Sequence, residues 1–405
     1  MNDISGLEAM VKGHIISPFT RLRRLLDGVA PGHEKPIEMT AGDPKEAMPG
    51  FVIDRMAEAK HLLGTYPLTR GQEDLRRSIG TWIERRYGLA GKVDALREVL
   101  PLNGSREGLF YAILPAVGRK RVKGQPVVLM PNPYYHAYFG SASAVNAEAV
   151  FLDATEATGH LPDLDLLAKE TDTLERTVAF YLCSPANPQG AVASLAYIRR
   201  ALALARQYDF MLFVDECYSE IYTGEAPTGG LQVAASTPEK FKNVVVFNSL
   251  SKRSNLPGLR SGFIAGDGDF IETLAEIRNI TGPQMPGPIQ HASIAIWSEE
   301  QHVAVIRQAY RAKFDVADEI LKGRMGYRRP AGGFFLWLDM SHLGGGVEAT
   351  VTLWKRCGVK VVPGAYLSQP NREGINPGER YVRVALVHPA ATVREALERV
   401  VSVKA

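Results

Sequence analysis

The sequence predicts an α/β protein with a mostly parallel central sheet and a second, smaller α/β domain. Three observations carry that expectation. Segments 127–130, 178–182, 211–214 and 244–247 are continuous apolar runs without alternation, the pattern of strands buried on both faces. Helical patterns lie between them, as at 195–208 with Ser194 placed to cap, and alternating strand and helix puts helices on both faces of one sheet. The length, 405 residues, exceeds what one hydrophobic core serves and suits two domains.

The elements follow in order. The opening MNDISGLEAMVKGH has no basic stretch leading into an apolar one, so no signal peptide is expected. Residues 1–45 are expected to complete the smaller domain, with 46–290 as the large domain and 291–405 as the small one. In GQEDLRRSIGTWIERRYGL, Leu75, Ile79, Ile83 and Tyr87 recur at helical spacing. After the four apolar runs, the Gly/Pro-rich TGPQMPGPIQ (281–290) interrupts the pattern. A long amphipathic helix is expected around 299–322, then strands in GGFFLWLDM and RYVRVALV, then a helix in TVREALERVV. There is no internal repeat and no low-complexity segment. The 47 basic and 44 acidic residues are spread along the chain, so no nucleic-acid surface is expected. No apolar stretch reaches the roughly 18 residues of a membrane helix. Cys183, Cys217 and Cys357 are far apart and form no CxxC pair, which suggests a reducing, cytoplasmic setting. The nine histidines are scattered and suggest no metal site.

Each apolar run empties into polar residues: PNPYYHAY, CSPANPQG, Asp215-Glu216 and NSLSK. Ligands of open α/β sheets bind outside the carboxyl ends of the strands. Lys252, in NSLSK, is either a solvated loop residue or a group with work at a strand mouth. Asp215 either caps the next loop or faces a cation, for which a protonated pyridine nitrogen would serve. Asn103-Gly104-Ser105-Arg106 reads as a turn opening a helix through Leu114, either an ordinary cap or an anion site. Arg383, between Val382 and Val384, is either a solvated strand residue or a fork for a carboxylate. Together a lysine, an aspartate, a phosphate-type turn and an arginine describe a pyridoxal-phosphate site.

Over about residues 38–388 these motifs resemble, in order, those of fold-type I, class I/II pyridoxal-phosphate aminotransferases. The resemblance implies the aspartate aminotransferase-like fold. Ser249-Leu250-Ser251-Lys252 with Arg260 eight residues on is similar to SxSK…R. It implies that Lys252 binds the cofactor as a Schiff base and that Ser249 and Arg260 reach its phosphate. Asp215 and Tyr218, in DECY, match DExY and imply contacts to the pyridinium and the ring hydroxyl. Asn187, in PANPQG, matches the asparagine that also bonds that hydroxyl. Ser105 and Arg106 match the phosphate turn, and Tyr135 the aromatic stacked on the ring, with Tyr134 adjacent as the other choice. Tyr66, in TYPLTRGQEDLR, matches a tyrosine that reaches the neighbouring subunit's phosphate, implying a homodimer with shared sites. Gly42 and Arg383 match the groups that hold the substrate α-carboxylate. Gln189 stands where Thr is usual, and Arg253-Ser254-Asn255 replaces an aromatic-containing loop. SPFTRLRRLLDG, PNPYYHAYFGSA and SLSKRSNLPGLRSGFIAGD look like the succinyldiaminopimelate aminotransferases of lysine biosynthesis. These exchange an amino group between glutamate and N-succinyl-2-amino-6-oxopimelate with ping-pong kinetics. Aspartate or aromatic amino acids, or a C–S lyase or decarboxylase reaction, are the alternatives. Arg21, Arg23 and Arg24 are each either available to a distal substrate group or plain surface residues.

Overall fold

The computed structural model describes residues 16–282 and 284–404. The MNDISGLEAMVKGH segment, apart from its surroundings from residue 16 onward, therefore lies outside the described residues, as does one proline of TGPQMPGPIQ. Two elements open the described chain, α1 (Pro18–Leu25) and β1 (Ile37–Glu38), and α2 (Glu73–Tyr87) follows. Next come β2 (Val99–Leu102), α3 (Ser105–Tyr111), α4 (Ile113–Arg119), β3 (Val127–Asn132), α5 (His136–Ala144) and β4 (Glu148–Asp153). β5 (Thr177–Cys183), α6 (Leu195–Gln207), β6 (Met211–Asp215), β7 (Val244–Ser249), α7 (Leu250–Arg253) and β8 (Gly262–Gly266) complete the large sheet.

That sheet has seven strands in the order β2-β8-β7-β6-β5-β3-β4. β8 runs antiparallel to both its neighbours, and the other pairs are parallel. The four apolar runs are β3, β5, β6 and β7, each continuing into its polar cluster, so Asp215 and Ser249 are strand residues. Alternate residues serve opposite faces. Leu212, Val214, Val244 and Val246 pack with Leu75, Ile79, Trp82 and Ile83 of α2, while Phe213, Val245 and Phe247 pack with Leu109, Ile113 and Phe270. Burial on both faces is why these runs show no alternation. The helix expected from Ser105 through Leu114 is divided at Ala112 into α3 and α4. Pro115 has no N–H for the Tyr111 carbonyl, so the ladder breaks there. Ser194 caps α6 as expected, accepting from Tyr197 N at 3.2 Å.

Three helices then follow: α8 (Gly268–Thr281), α9 (Gly287–Ser298) and the long α10 (Gln301–Leu321). β9 (Phe335–Asp339), α11 (Gly346–Cys357), β10 (Val359–Lys360), β11 (Val362–Pro363), β12 (Tyr381–Ala385) and α12 (Ala390–Ser402) close the chain. β11, β12 and β9 form an antiparallel sheet, and β1 pairs in parallel with β10, Ile37 opposite Val359. Ile37 and Met39 share a core with Phe314, Leu338, Val384 and Leu397. Leu22 docks α1 on Val362 and Leu367. Among the described residues no helix is long and apolar enough to cross a membrane.

The loop after β1 is tied to α10 by an ion pair, Lys313 Nζ to Glu46 Oε1 at 2.7 Å, with the lysine side chain 1% exposed and the glutamate 29% exposed. Removing only the acid strands a buried cation, whereas replacing the lysine by an apolar chain of similar length removes the need for a partner. Glu46→Gln is expected to lower the unfolding free energy of the cofactor-free protein by about 2–4 kcal/mol, and Lys313→Met by under about 1 kcal/mol. Urea midpoints at constant m-value check this, and equal losses would contradict it.

Candidate active site

The polar ends of β3, β5, β6 and β7 meet around a cavity of about 400 Å³, closed on another side by Phe335 and Arg383 of the smaller sheet. Asp215 is 5% exposed. Its Oδ1 accepts from Cys217 N at 3.2 Å and its Oδ2 from the Tyr138 hydroxyl at 2.6 Å. The first bond is the local turn foreseen as one alternative, but it leaves the charge uncompensated. Burial pushes the carboxyl pKa up, and the Tyr138 and Cys217 bonds pull it back. No lysine, arginine or histidine forms an ion pair with it among the described residues. A buried carboxylate so placed fits a cationic group arriving from outside the chain.

Lys252 sits on the helical turn α7, not on a loop, because the chain coils immediately after β7. Its ammonium donates to the Gly42 carbonyl and faces the Phe334 ring at 5.4 Å. Burial lowers its pKa to about 8. The solvated reading of this lysine is thereby corrected. Arg253, which the sequence shows only as a departure, pins the turn. Its guanidinium is wedged against Trp82 and Trp297, at 5.6 and 5.0 Å, and donates to the Ile296 and Glu299 carbonyls at 3.0 and 3.2 Å.

One end of the cavity gathers donors. Gly104 has φ +77°, and a Cβ there would lie 2.2 Å from the Arg260 guanidinium. Arg260, itself at φ 57°, donates to the Asn103 carbonyl at 3.1 Å. The Ser249 and Ser251 hydroxyls are 2.8 Å apart, and Ser105 accepts from the Cys217 thiol at 3.0 Å. Exposed Arg106 donates to the Tyr135 hydroxyl at 2.5 Å. Hydroxyls and guanidinium groups around a glycine turn fit a phosphate.

Arg383 is 4% exposed, so it is not a solvated strand residue. It donates to Asn187 Oδ1 at 3.1 Å and to the Thr40 carbonyl at 2.8 Å, while its buried Nε has no partner. Burial lowers its pKa to about 10. Gly42 lies against Phe335, where a Cβ would come within 2.9 Å of the ring. Tyr218 is buried edge-on to Phe334 at 5.3 Å. Tyr135 stands edge-on to Tyr138 at 5.5 Å, beside the partner of Asp215, whereas Tyr134 is bonded by Gln369 and packs on Phe151. Tyr66 does not join them: it is 95% exposed and does not line the cavity. Gln189 turns away to the Ala154 carbonyl.

Tyr138, Cys217, Phe19 and His136 also line the cavity, and sequence reasoning did not single them out. Tyr138 was findable, since it follows Tyr135 by one helical turn. His136 is kept neutral by burial, which lowers its pKa to about 4. Cys183 and Cys217, far apart in sequence, share this cavity as free thiols. Among the described residues no group of side chains could hold a metal ion.

Residues 34–400 match the family model described as aminotransferase class I and II. The LL-diaminopimelate aminotransferase of Syntrophobacter fumaroxidans is 30% identical over 369 residues, 90% of each chain. A crystal structure of an aminotransferase from Neisseria meningitidis has a TM-score of 0.90 at 36% identity, covering 97% of this chain and 98% of that one. A probable N-succinyldiaminopimelate aminotransferase from Thermus thermophilus has a TM-score of 0.80 at 25% identity, covering 95% of this chain and 99% of that one.

The geometry around Lys252 gives a pH signature. Burial disfavours the charged amine, so between pH about 8 and the ordinary lysine value of about 10.4 the unfolded chain holds more protons than the folded one. The stability of the cofactor-free protein therefore gains from this group as pH rises through that window. Labelling of Lys252 by an amine-directed reagent, read by peptide mass spectrometry, is expected to have its midpoint near pH 8. A midpoint near the ordinary value would contradict the burial.

Proposed function

The chain belongs to the class I and II aminotransferases, which depend on pyridoxal phosphate, and we propose that it moves an amino group between glutamate and N-succinyl-2-amino-6-oxopimelate. The enzyme class follows from the family. The likeness to the Thermus thermophilus protein, named as a probable N-succinyldiaminopimelate aminotransferase and matching 95% of this chain, supports the succinylated substrate. Unmodified LL-diaminopimelate is the second reading, favoured by the 30% identity to the enzyme named for it.

When bound, pyridoxal phosphate supplies an electrophilic carbonyl and a sink for the electron pair left at the substrate Cα. The chain's residues are assigned the following work. Asp215 holds the ring nitrogen protonated, with Tyr138 keeping the carboxylate ionised, and Asn187 and Tyr218 meet the ring hydroxyl. Tyr135 covers one face of the ring. Ser105, Arg106, Ser249 and Arg260 hold the phosphate. Arg383 offers its fork, including the unpartnered Nε, to the substrate α-carboxylate, and the Gly42 N–H shares that load. Lys252 anchors the cofactor and, once free, takes the Cα proton as a neutral amine and returns it. Its pKa of about 8 suits that exchange. Donor and acceptor use the same residues in turn, which gives ping-pong kinetics.

The same reading places Tyr66 at the phosphate of a second copy. Its 95% exposure, with Leu63 at 73% and Leu68 at 69%, supports a homodimer that covers this face. In this scheme the described part of the N-terminal segment, from residue 16, joins the C-terminal part as the smaller domain, whose start lies after α9, since Ala292, Ile296 and Trp297 pack in the core of the large sheet. The three buried free thiols suit a cytoplasmic enzyme.

Lys252→Ala is expected to retain bound cofactor but to show no turnover, and near-normal turnover would overturn its assignment. Tyr138→Phe is expected to lower kcat about tenfold, the loss of one hydrogen bond to a charged group, with cofactor absorbance retained. For the substrate, the cofactor-loaded protein is mixed separately with N-succinyl-LL-diaminopimelate, LL-diaminopimelate, glutamate, aspartate and tyrosine. Rapid loss of the yellow absorbance with glutamate and the succinylated compound is expected. Loss with LL-diaminopimelate and not with its succinyl derivative would establish the second reading, and loss with aspartate or tyrosine alone would discard both.

A further inference from the structure

Beside the cavity wall stands a cationic group that none of these roles uses. Arg21 lies on α1, the helix held by Leu22 against Val362 and Leu367. Its guanidinium carbon is 3.9 Å from the centre of the Tyr366 ring, and its charge bears on the Tyr134 hydroxyl. Tyr134, Leu367 and Phe19 line the cavity. Phe19 also lies 5.9 Å from the Arg383 guanidinium. The wall therefore runs from Arg383 past Phe19 towards Tyr134, Leu367 and the adjoining Arg21. Arg23 and Arg24 are exposed, whereas Arg21 is half-buried. Among the described residues no carboxylate pairs with Arg21. A guanidinium laid on an aromatic ring keeps its edge N–H groups available for a bidentate anion.

We propose that Arg21 receives the distal carboxylate of a long substrate, so that the site selects α-amino acids whose far end is anionic rather than zwitterionic. This rests on the succinylated-substrate reading and sharpens it. A succinylated far end carries carboxylates and no ammonium. Unmodified diaminopimelate sets an ammonium beside its far carboxylate. Phe19, Tyr134 and Leu367 offer that ammonium no acid, and Asp43, the cavity's carboxylate besides Asp215, is already paired with Lys45 at 2.9 Å.

The test compares cofactor-loaded wild type with Arg21→Gln, Arg21→Lys and Arg23→Gln. Two amino acids of equal chain length serve as probes: L-2-aminopimelate, which ends in a carboxylate, and L-2-aminoheptanoate, which ends in a methyl group. The half-reaction is followed by the cofactor's absorbance, and pimelate binding is measured by calorimetry as a readout independent of turnover. Arg21→Gln is expected to lower kcat/KM for aminopimelate about 30-fold, mainly through KM, and to weaken pimelate binding by a similar factor. It should leave aminoheptanoate within about twofold. Arg21→Lys should restore part of the loss, and Arg23→Gln should change neither probe. An equal fall for both probes would make Arg21 a prop for α1 and overturn the proposal, as would no fall for either. Neither probe carries a succinyl group. Rejection of N-succinyl-LL-diaminopimelate together with an Arg21-dependent preference for aminopimelate would therefore discard that substrate and keep this site.

Discussion

A carboxylate at the end of a strand buried on both faces, Asp215 on β6, is the constraint around which the cavity is arranged. Only 5% of its surface is exposed, so water offsets little of the cost of burial. The Tyr138 hydroxyl and the Cys217 N–H supply hydrogen bonds, yet neither supplies charge. A compensating cation has to come from outside the chain, the place the proposed function gives to the cofactor's ring nitrogen. Parallel pairing of β6 with β7 sets Asp215 opposite Phe247, so the chain leaving β7 delivers Ser249 and Lys252 to the same edge. On the other side β5 delivers Asn187. The hydroxyl and guanidinium cluster around Gly104 supplies the opposite pole. The cavity thus has a short electrostatic axis, negative at Asp215 and positive around Gly104 and Arg260, laid across the ends of a sheet whose strands are packed on both faces.

The substrate half rests on different supports. Arg383 stands on β12, Gly42 and Thr40 follow β1, and Phe19 stands on α1. These come together because β1 adds to β10 and Met39 and Ala385 are joined by a backbone hydrogen bond. Arg383 is wholly buried with only part of its donor set used. Its remaining donor is a standing demand for an anion, as Asp215 is for a cation. Lys252 lies between the two demands, and its bond to the Gly42 carbonyl is a contact between the halves.

Much of this was legible in the sequence because the same physics writes both. Runs buried on two faces cannot alternate, so β3, β5, β6 and β7 stood out, and polar residues at their ends marked the site. β2 and β4 were silent for a reason. They are the sheet's edges, β2 carries Pro101, which an edge tolerates, and β4 is only half-buried throughout. β8 is five residues long between glycines, too short to show a period. In the site, Lys252, Asp215, Asn187 and Arg383 were visible as chemically expensive residues in apolar surroundings. Tyr138 was visible only through its spacing from Tyr135, and Cys217 was not marked out, because a lone cysteine carries no pattern of its own. The clamp on α7 was also hidden: Arg253 meets Trp82 and the end of α9 only after the chain has folded back.

The hydrogen bond between Arg383 and the Thr40 carbonyl spans 343 positions of sequence, and this has a bearing on biosynthesis. A chain that emerges N-terminus first exposes Ile37 and Thr40 long before their partners Val359 on β10 and Arg383 on β12 exist. Every strand of the seven-stranded sheet, and with it the phosphate end of the cavity, precedes residue 267. The nascent protein therefore owns a cofactor cradle before it owns a substrate pocket. A messenger truncated before β12 yields a chain that has Asp215, Lys252 and the Gly104 cluster and lacks Arg383, the group proposed to hold the substrate carboxylate.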